Sequence, residues 1–270
     1  GFRLILTPPS PTQPWPDPVL LPRFRSVLSE YHAAMEAVAH RVTRLLLASV
    51  GLPPTYLHEE QKAFSPHATA VTRLLHYAPV VSHVEEGLYG CGAHTDWGVL
   101  TLLLTEEEGL EVLCPREGGK EGEGWLRVPP CRKRKEEGKE ELQGKEEEEE
   151  EEWLLICNLG DLLPRWSNGC LVSTPHRVVN REGKDRYSIP FFFSANPAAV
   201  VECLPPFLEE EEEEEGEGGR EGGRKRKGKY PPIVVSEYIA QKYRSITVGM
   251  EETGEEGCKG SEKKEGNQVN

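Results

Sequence analysis

The stretch GCGAHTDWGVLTLLL, residues 90–104, decides how the chain is read. Its second half, Val99 to Leu104, is a short apolar run of the kind that forms a buried strand. His94 and Asp96 stand two residues apart at the entrance to that strand, and the two-residue period of extended chain turns both side chains to one face. Two ligand-capable groups therefore come from one strand edge. A His-x-Asp pair alone says little, and it becomes a metal site only with a third ligand.

That ligand comes from SNGCLVSTPHRVVN, residues 167–180, where His176 opens a later strand between Pro175 and the apolar pair Val178 and Val179. Two imidazoles and one carboxylate form a facial triad with coordination positions left open. The arrangement suits an Fe(II) that must take both a chelating acid and dioxygen, whereas zinc would fit the same ligands without redox chemistry. Beyond His176 follows RYSIPFFF, residues 186–193, with Arg186 and Ser188 on one face of another strand. A buried arginine needs an anion. Its planar guanidinium grips a carboxylate through two hydrogen bonds, to which the Ser188 hydroxyl adds a third. The competing reading pairs Arg186 with an internal Asp or Glu.

Around these motifs the periodicity changes along the chain. From Leu21 to Val50 the residues Phe24, Leu28, Tyr31, Met35, Val38, Val42 and Leu45 recur at steps of four and three, which predicts one long amphipathic helix stopped by Gly51 and Pro53. His32 and His40, beside that stripe, are read as surface residues and not as ligands. A short helical piece is expected near Tyr56 to Phe64. Short runs follow at Val71–Tyr77, Val99–Leu104, Leu110–Leu113, Trp125–Val128, Trp153–Asn158, His176–Asn180, Tyr187–Ser194 and Val200–Cys203, and they predict a β-sandwich or barrel. A last amphipathic helix is expected over Val234 to Ile246.

The 270-residue chain is 37% hydrophobic, and its deficit of apolar residues is local. Residues 131–152, residues 209–229 and the tail 251–270 are nearly pure Glu, Lys, Arg and Gly, and they carry most of the formal charge of −14. They read as solvated, disordered insertions and a charged tail. Long loops between strands cost little, because closure entropy grows only logarithmically with length. The acidic balance argues against nucleic acid as a partner. Seven cysteines without regular spacing point to free thiols in a reducing compartment, and no run is long and apolar enough to span a membrane. A cytoplasmic monomer is the expectation. The chain begins at Gly1 and not at Met, which reads as a piece of a longer sequence.

Three ordered motifs, HTDWGVLTLLL, NLGDLLPRWSNGCLVSTPHRVVN and RYSIPFF, together resemble the isopenicillin N synthase-like branch of the iron and 2-oxoglutarate-dependent dioxygenases. The resemblance implies a mainly β fold with flanking helices, the double-stranded β-helix or jelly roll, over residues 21–250. It places the iron ligands on His94, Asp96 and His176 and the cosubstrate contacts on Arg186 and Ser188. With the charged insert at 131–152 left out, the interval from Asp96 to His176 is close to the one usual in that family. Where the family often carries Asn-x-Tyr on an early strand, RLLHYAP offers Leu75 and Tyr77, so Tyr77 is expected to touch the cosubstrate and the partner amide is missing. Residues 1–20 stand as a Pro-rich remnant of the family's N-terminal segment.

The implied activity is oxidation of a small organic substrate by Fe(II), 2-oxoglutarate and O2, with release of succinate and CO2. Two alternatives remain open here. One is a same-fold Fe(II) oxidase that uses no 2-oxoglutarate, of the isopenicillin N synthase or aminocyclopropane carboxylate oxidase type; the other is a non-catalytic scaffold. Asn158 and Asp161 are expected to brace the turn before a short helix. Trp97, Phe192 and Phe193 are candidates for the substrate pocket or the core, and Cys91 for an oxidation-sensitive thiol.

Overall fold

The computed structural model describes residues 2–7, 14–114, 124–131, 154–210 and 226–245. Most of the expected insert at 131–152, the middle of that at 209–229 and the whole tail at 251–270 lie outside the described residues.

A long helix, α1 (Phe24–Ser49), and a short one, α2 (Tyr56–Glu59), precede most of the strands. A five-stranded antiparallel sheet has the order β1 (Phe2–Thr7), β2 (Thr69–Tyr77), β9 (Arg186–Ser194), β4 (Leu100–Thr105), β7 (Ile156–Leu159). A four-stranded sheet has the order β3 (Cys91–His94), β8 (His176–Val178), β5 (Leu110–Cys114), β6 (Gly124–Arg127). Two short ladders join β10 (Val200–Val201) to β13 (Ile233–Val234) and β11 (Glu209–Glu210) to β12 (Arg226–Lys227). The short helix α3 (Leu162–Trp166) follows β7, and α4, residues 235–245, closes the described part. The chain thus has the mainly β, jelly-roll architecture with flanking helices.

Alternation along the large sheet divides its two faces. Phe191 and Phe193 on β9, Leu100 and Leu102 on β4 and Ala70 on β2 are almost fully buried and turn outward to the core under α1. The alternate residues Arg186, Ser188, Thr101 and Thr105 turn inward. The apolar side of this sheet is therefore its outer side, and the polar side is left for a site. Burying Phe191 and Phe193 contributes on the order of 2–3 kcal/mol each.

The contact line of α1 differs from the expected stripe. Its buried residues are Leu28, His32, Ala39, Thr43 and Leu47, whereas Leu45 is 65% exposed. Small side chains at the centre of the contact let the helix approach the sheet closely, and the larger apolar residues Met35, Val38 and Val42 flank it, partly buried. His32 is not at the surface as expected. It is 2% exposed, its Nδ1 lies 2.8 Å from the Thr72 hydroxyl, and its ring meets Phe191 edge to face. Burial pushes the pKa of both His32 and His40 down, which suits neutral imidazoles packed on phenylalanine rings.

Two differences concern the margins. Residues 2–7, within the expected Pro-rich remnant, form β1 on the edge of the large sheet, in register Phe2 with Leu74 and Ile5 with Val71. Cys131, at the start of the first expected insert, is buried; its Sγ accepts from Thr105 N and donates to Leu103 O. Leu154 N donates to Cys131 O at 2.7 Å, so the two ends of that insert meet. The ends of the second insert meet as well, through the β11–β12 ladder and an ion pair between Lys229 and Glu209.

Candidate metal centre

His94 ends β3 and His176 begins β8, and the antiparallel register pairs these two residues directly. Their rings lie 4.3 Å apart, centroid to centroid. Asp96 follows β3 in the turn that leads into β4. One ligand atom from each of His94, Asp96 and His176 lies within 4.8 Å of the others. Nε2 of His94 is 4.0 Å from Asp96 Oδ1, and Nε2 of His176 is 3.8 Å from Asp96 Oδ2.

The surroundings prepare each group. His94 Nδ1 faces the carbonyl of Gly92 at 2.8 Å and His176 Nδ1 faces that of Thr174 at 3.1 Å. A carbonyl only accepts, so Nδ1 carries a proton in both rings, and each Nε2 faces the cluster, where loss of its own proton leaves a lone pair for a metal. Asp96 Oδ2 accepts from the Thr101 hydroxyl at 2.6 Å and from Asn158 Nδ2 at 2.7 Å. With its two lone pairs engaged, Oδ2 is held in place and Oδ1 is left to bind a cation through one oxygen. The set of two imidazoles and one singly bound carboxylate matches the donors that hold Fe(II) with positions open.

The loop carrying Asp96 is fixed by the NLGD turn. Gly160 N donates to Val99 O at 2.8 Å, Asp161 N to Asp96 O at 2.8 Å and Leu162 N to Gly98 O at 3.1 Å. Glycine is required on both sides of this approach: a Cβ at Gly160 would stand 2.3 Å from Gly98 O, and one at Gly98 would stand 2.6 Å from Phe193 O. Asp161 makes no side-chain cap on α3. Its carboxylate instead accepts from the Tyr238 hydroxyl at 2.9 Å, from Lys242 Nζ at 2.9 Å and from the Thr95 hydroxyl at 3.2 Å. Asn158 was expected to brace a turn and in fact holds the Asp96 carboxylate; β7 and β4 bring it there by pairing Asn158 with Thr101. Thr101 was missed, because its role depends on that long-range register.

Arg186 and Ser188 share the inner face of β9, opposite Tyr77 and Leu75 of β2. Arg186 is 2% exposed; its Nε donates to Glu108 O at 2.9 Å, while Nη1 and Nη2 are buried with no hydrogen-bond partner. The competing expectation of an internal Asp or Glu partner fails among the described residues. A guanidinium buried in this way fits a carboxylate ligand. Its carbon lies 5.0 Å from the centre of the Tyr77 ring. Burial, opposed by Arg186 and Ser188, pushes the Tyr77 pKa up, so the hydroxyl keeps its proton and can donate. Gly109, at φ 122°, packs against this arginine; a Cβ there would meet Arg186 Nε at 3.3 Å.

Other residues are placed as follows. Phe193 is core, against His40 and Phe64, and Trp97 packs on the core edge and on Tyr243; only Phe192 of the three aromatic candidates turns inward. Cys91 Sγ lies 3.7 Å from His94 Nδ1, away from the Nε2 cluster, and pushes the His94 pKa up to about 9. Burial pushes that of His176 down. A cavity of about 710 Å³ lies at the Arg186 end, walled by Glu106, Glu107, Glu108, Lys184 and Asp185, and no triad residue lines it.

Residues 68–195 match the family model of the 2OG-Fe(II) oxygenase superfamily, a span that contains every residue of this centre. The chain belongs to that superfamily. It is 33% identical over 226 residues to the 2-oxoglutarate-Fe(II) type oxidoreductase hxnY of Emericella nidulans, an alignment covering 82% of this chain and 52% of that protein. It is 32% identical to the 2-oxoglutarate-dependent dioxygenase caaD of Aspergillus niger, covering 71% of this chain and 51% of the other. Full-length T7H of Neurospora crassa in complex with alpha-KG superimposes with a TM-score of 0.66 at 26% identity, covering 90% of this chain and 64% of that one. This 2OG-Fe(II) oxygenase chain spans about half the length of the curated relatives it matches. No helix among its described residues is long and apolar enough to cross a membrane.

Proposed function

We propose that the protein is an Fe(II)- and 2-oxoglutarate-dependent dioxygenase acting on a small organic molecule, with His94, Asp96 and His176 as the metal ligands. The observation that carries this reading is the buried, unpartnered guanidinium of Arg186, on the same inner face of the large sheet as Thr101, whose hydroxyl holds Asp96. A metal cluster alone would serve many reactions; an adjoining buried cation without an anion selects a carboxylate-bearing cosubstrate. Arg186, Ser188 and Tyr77 would hold the distal carboxylate of 2-oxoglutarate through charge-assisted hydrogen bonds. The bound iron supplies oxidation by O2 coupled to conversion of 2-oxoglutarate to succinate and CO2.

The chain's own contribution is positioning. Thr101 and Asn158 fix the Asp96 carboxylate, the Gly92 and Thr174 carbonyls fix the two imidazole tautomers, and Leu75, Tyr77 and the inner face of β9 wall the cosubstrate. The same reading takes the protein as a cytoplasmic monomer acting on a small molecule and not on nucleic acid, supported by the acidic net charge and the free thiols. The test is anaerobic reconstitution with Fe(II) and 2-oxoglutarate, followed by admission of O2 and assay of succinate. Succinate release that needs both Fe(II) and O2 is expected. Metal binding without any uptake of 2-oxoglutarate would overturn the reading in favour of an oxidase that needs no keto acid.

A further inference from the structure

One cation on the inner face is used by nothing described so far. On β2, Tyr77 pairs with Arg186 and Leu75 with Ser188, both inward, while Thr72 and Ala70 pair with the outward Phe191 and Phe193. Strict alternation puts Arg73 on the inner face with Leu75, Tyr77 and Val71. Its guanidinium carbon lies over the Phe192 ring, 5.3 Å from the centroid. Phe192 is the inward neighbour of Thr101 across β9 and β4, and the Thr101 hydroxyl is 2.6 Å from Asp96 Oδ2. Asp96, Thr101 and Phe192 thus lead to Arg73, which stands two residues along β2 from Val71, the register partner of Phe192. At about 4.8 Å per strand and about 3.3 Å per residue, the Arg73 backbone, two strands and two residues away, is about 12 Å from that of Thr101, and the side chain leans back over Phe192 toward the metal cluster.

Among the described residues no hydrogen bond or ion pair holds the Arg73 guanidinium, and the residue is half-buried. Its inward neighbours Val71, Leu75, Pro190, Phe192 and Leu103 are uncharged, and its register partner on β1 is a like-charged residue, Arg3. The charge balance points the same way. A divalent metal, the Asp96 carboxylate, Arg186 and a dianionic keto acid sum to neutrality, which leaves the positive charge of Arg73 uncompensated. A monoanion completes it, and a planar guanidinium stacked on an aromatic ring is a fit for one carboxylate.

We propose that Arg73 is the specificity residue of this site and that the substrate is a small organic acid, its carboxylate docked on Arg73 while its reacting carbon faces the cluster of His94, Asp96 and His176. The proposal rests on the reading of that cluster as an Fe(II)/2-oxoglutarate centre. It adds no chemical step, since Arg73 binds and orients only.

The experiment uses the anaerobic Fe(II) protein saturated with 2-oxoglutarate and follows its visible metal-to-ligand charge-transfer band. Benzoate, phenylacetate and hexanoate are titrated in turn, each beside its neutral amide, in the unaltered protein and in Arg73→Leu and Arg73→Lys. At least one acid is expected to perturb the band at least tenfold more tightly than its amide. Arg73→Leu should weaken that acid roughly ten- to a hundredfold, as loss of a hydrogen-bonded charge partner does, and leave the amide and the 2-oxoglutarate dissociation constant unchanged. Arg73→Lys should restore part of the preference, and the unchanged cosubstrate affinity shows that the variants fold. Acids and amides binding alike, or no acid acting at millimolar concentration, would overturn the proposal while the reading of the centre stands. A cosubstrate constant raised in Arg73→Leu would also overturn it, by placing Arg73 in the keto acid pocket. Absence of the band from the unaltered protein would instead overturn the centre itself, and the proposal with it.

Discussion

Replacing Arg186 with methionine should move stability and cosubstrate affinity in opposite directions. In the protein without cosubstrate, Arg186 is a buried cation with Nη1 and Nη2 unpartnered, held only by the Nε bond to Glu108 O and by the Tyr77 ring. Each unsatisfied buried polar group costs about 1–3 kcal/mol, against about 1 kcal/mol for the Nε bond and about 0.5–2 kcal/mol for the cation–π contact. Methionine is unbranched and apolar, and fills such a space with little strain. The variant without cosubstrate should therefore gain about 1–3 kcal/mol, or roughly 2–10 °C in Tm for a domain of this size.

With 2-oxoglutarate the order reverses. The unaltered protein should gain about 2.7 kcal/mol at a hundredfold excess over Kd, whereas the variant loses the partner of a charged carboxylate, about 2–5 kcal/mol, and binds roughly thirtyfold to several-thousandfold more weakly. Fe(II) binding should be unchanged, because Arg186 is outside the triad. Paired melting curves with and without 2-oxoglutarate, beside an anaerobic titration of the charge-transfer band, read all three quantities. A variant that melts lower than its parent without cosubstrate, yet is still raised by 2-oxoglutarate to the same degree, would refute the reasoning on both counts.

Asp96→Ala should abolish iron binding and turnover, since two neutral imidazoles remain; near-normal turnover with bound iron would show the ligand assignment to be wrong. Asn158→Ala removes one of the two hydrogen bonds on Asp96 Oδ2 and should weaken Fe(II) binding roughly 10- to 100-fold without loss of cooperative melting, read by competition with a chelator of known affinity. Deleting residues 134–151 behind a short Gly-Ser link should leave the melting transition intact, because Cys131 and Leu154 already meet; a lost transition would show that the insert is structural. Burial raises the Glu111 carboxyl, but hydrogen bonds from Arg181 and Arg177 outweigh it and hold the pKa below the usual 4.5. The stability this contributes is present above pH 4.5 and lost as pH falls through the lower folded value, so Glu111→Gln should flatten the acid limb of a Tm-against-pH curve below about pH 4.5.

The residues of the centre that were legible in the sequence are those whose placement follows from local geometry. Arg186 and Ser188 lie two apart within one strand, so the period of extended chain alone turns them to a common face; His94 and Asp96 are also two apart, but His94 ends β3 and Asp96 lies in the turn beyond it, not at the entrance to one strand as expected. Thr101 and Asn158 were not legible as a pair, because what joins them is the register of β4 with β7 across the charged insert. Phe192 and Phe193 are adjacent and chemically identical, and only the pairing of β9 with β4 shows which enters the site and which packs under α1. His32 failed for a related reason: a polar residue beside an apolar stripe is ordinarily at the surface, and here the Thr72 hydroxyl on a neighbouring strand receives it. Residues 1–20 were read by composition as a Pro-rich remnant, and the strand FRLILT within them was not foreseen, because its partner β2 lies some seventy residues away in the chain.

Asp161 shows how far the support of the centre extends. Its backbone N–H binds the carbonyl of Asp96, while its carboxylate takes Tyr238 and Lys242 from α4 and Thr95 from the ligand loop itself. Burial would raise this carboxyl, but hydrogen bonds from Lys242 and Tyr238 together with the Lys242 charge hold its pKa down, so it stays an anion matched to α4. The seating of α4 and the position of the metal-facing carboxylate are therefore set by one residue, through rigid bonds of 2.8–3.2 Å. A carboxylate that must present one oxygen to a metal tolerates little displacement. The NLGD turn meets that demand by tying the loop to the C-terminal helix as well as to the sheet, and for this reason Asp161 belongs to the architecture of the centre without touching the position of the ion.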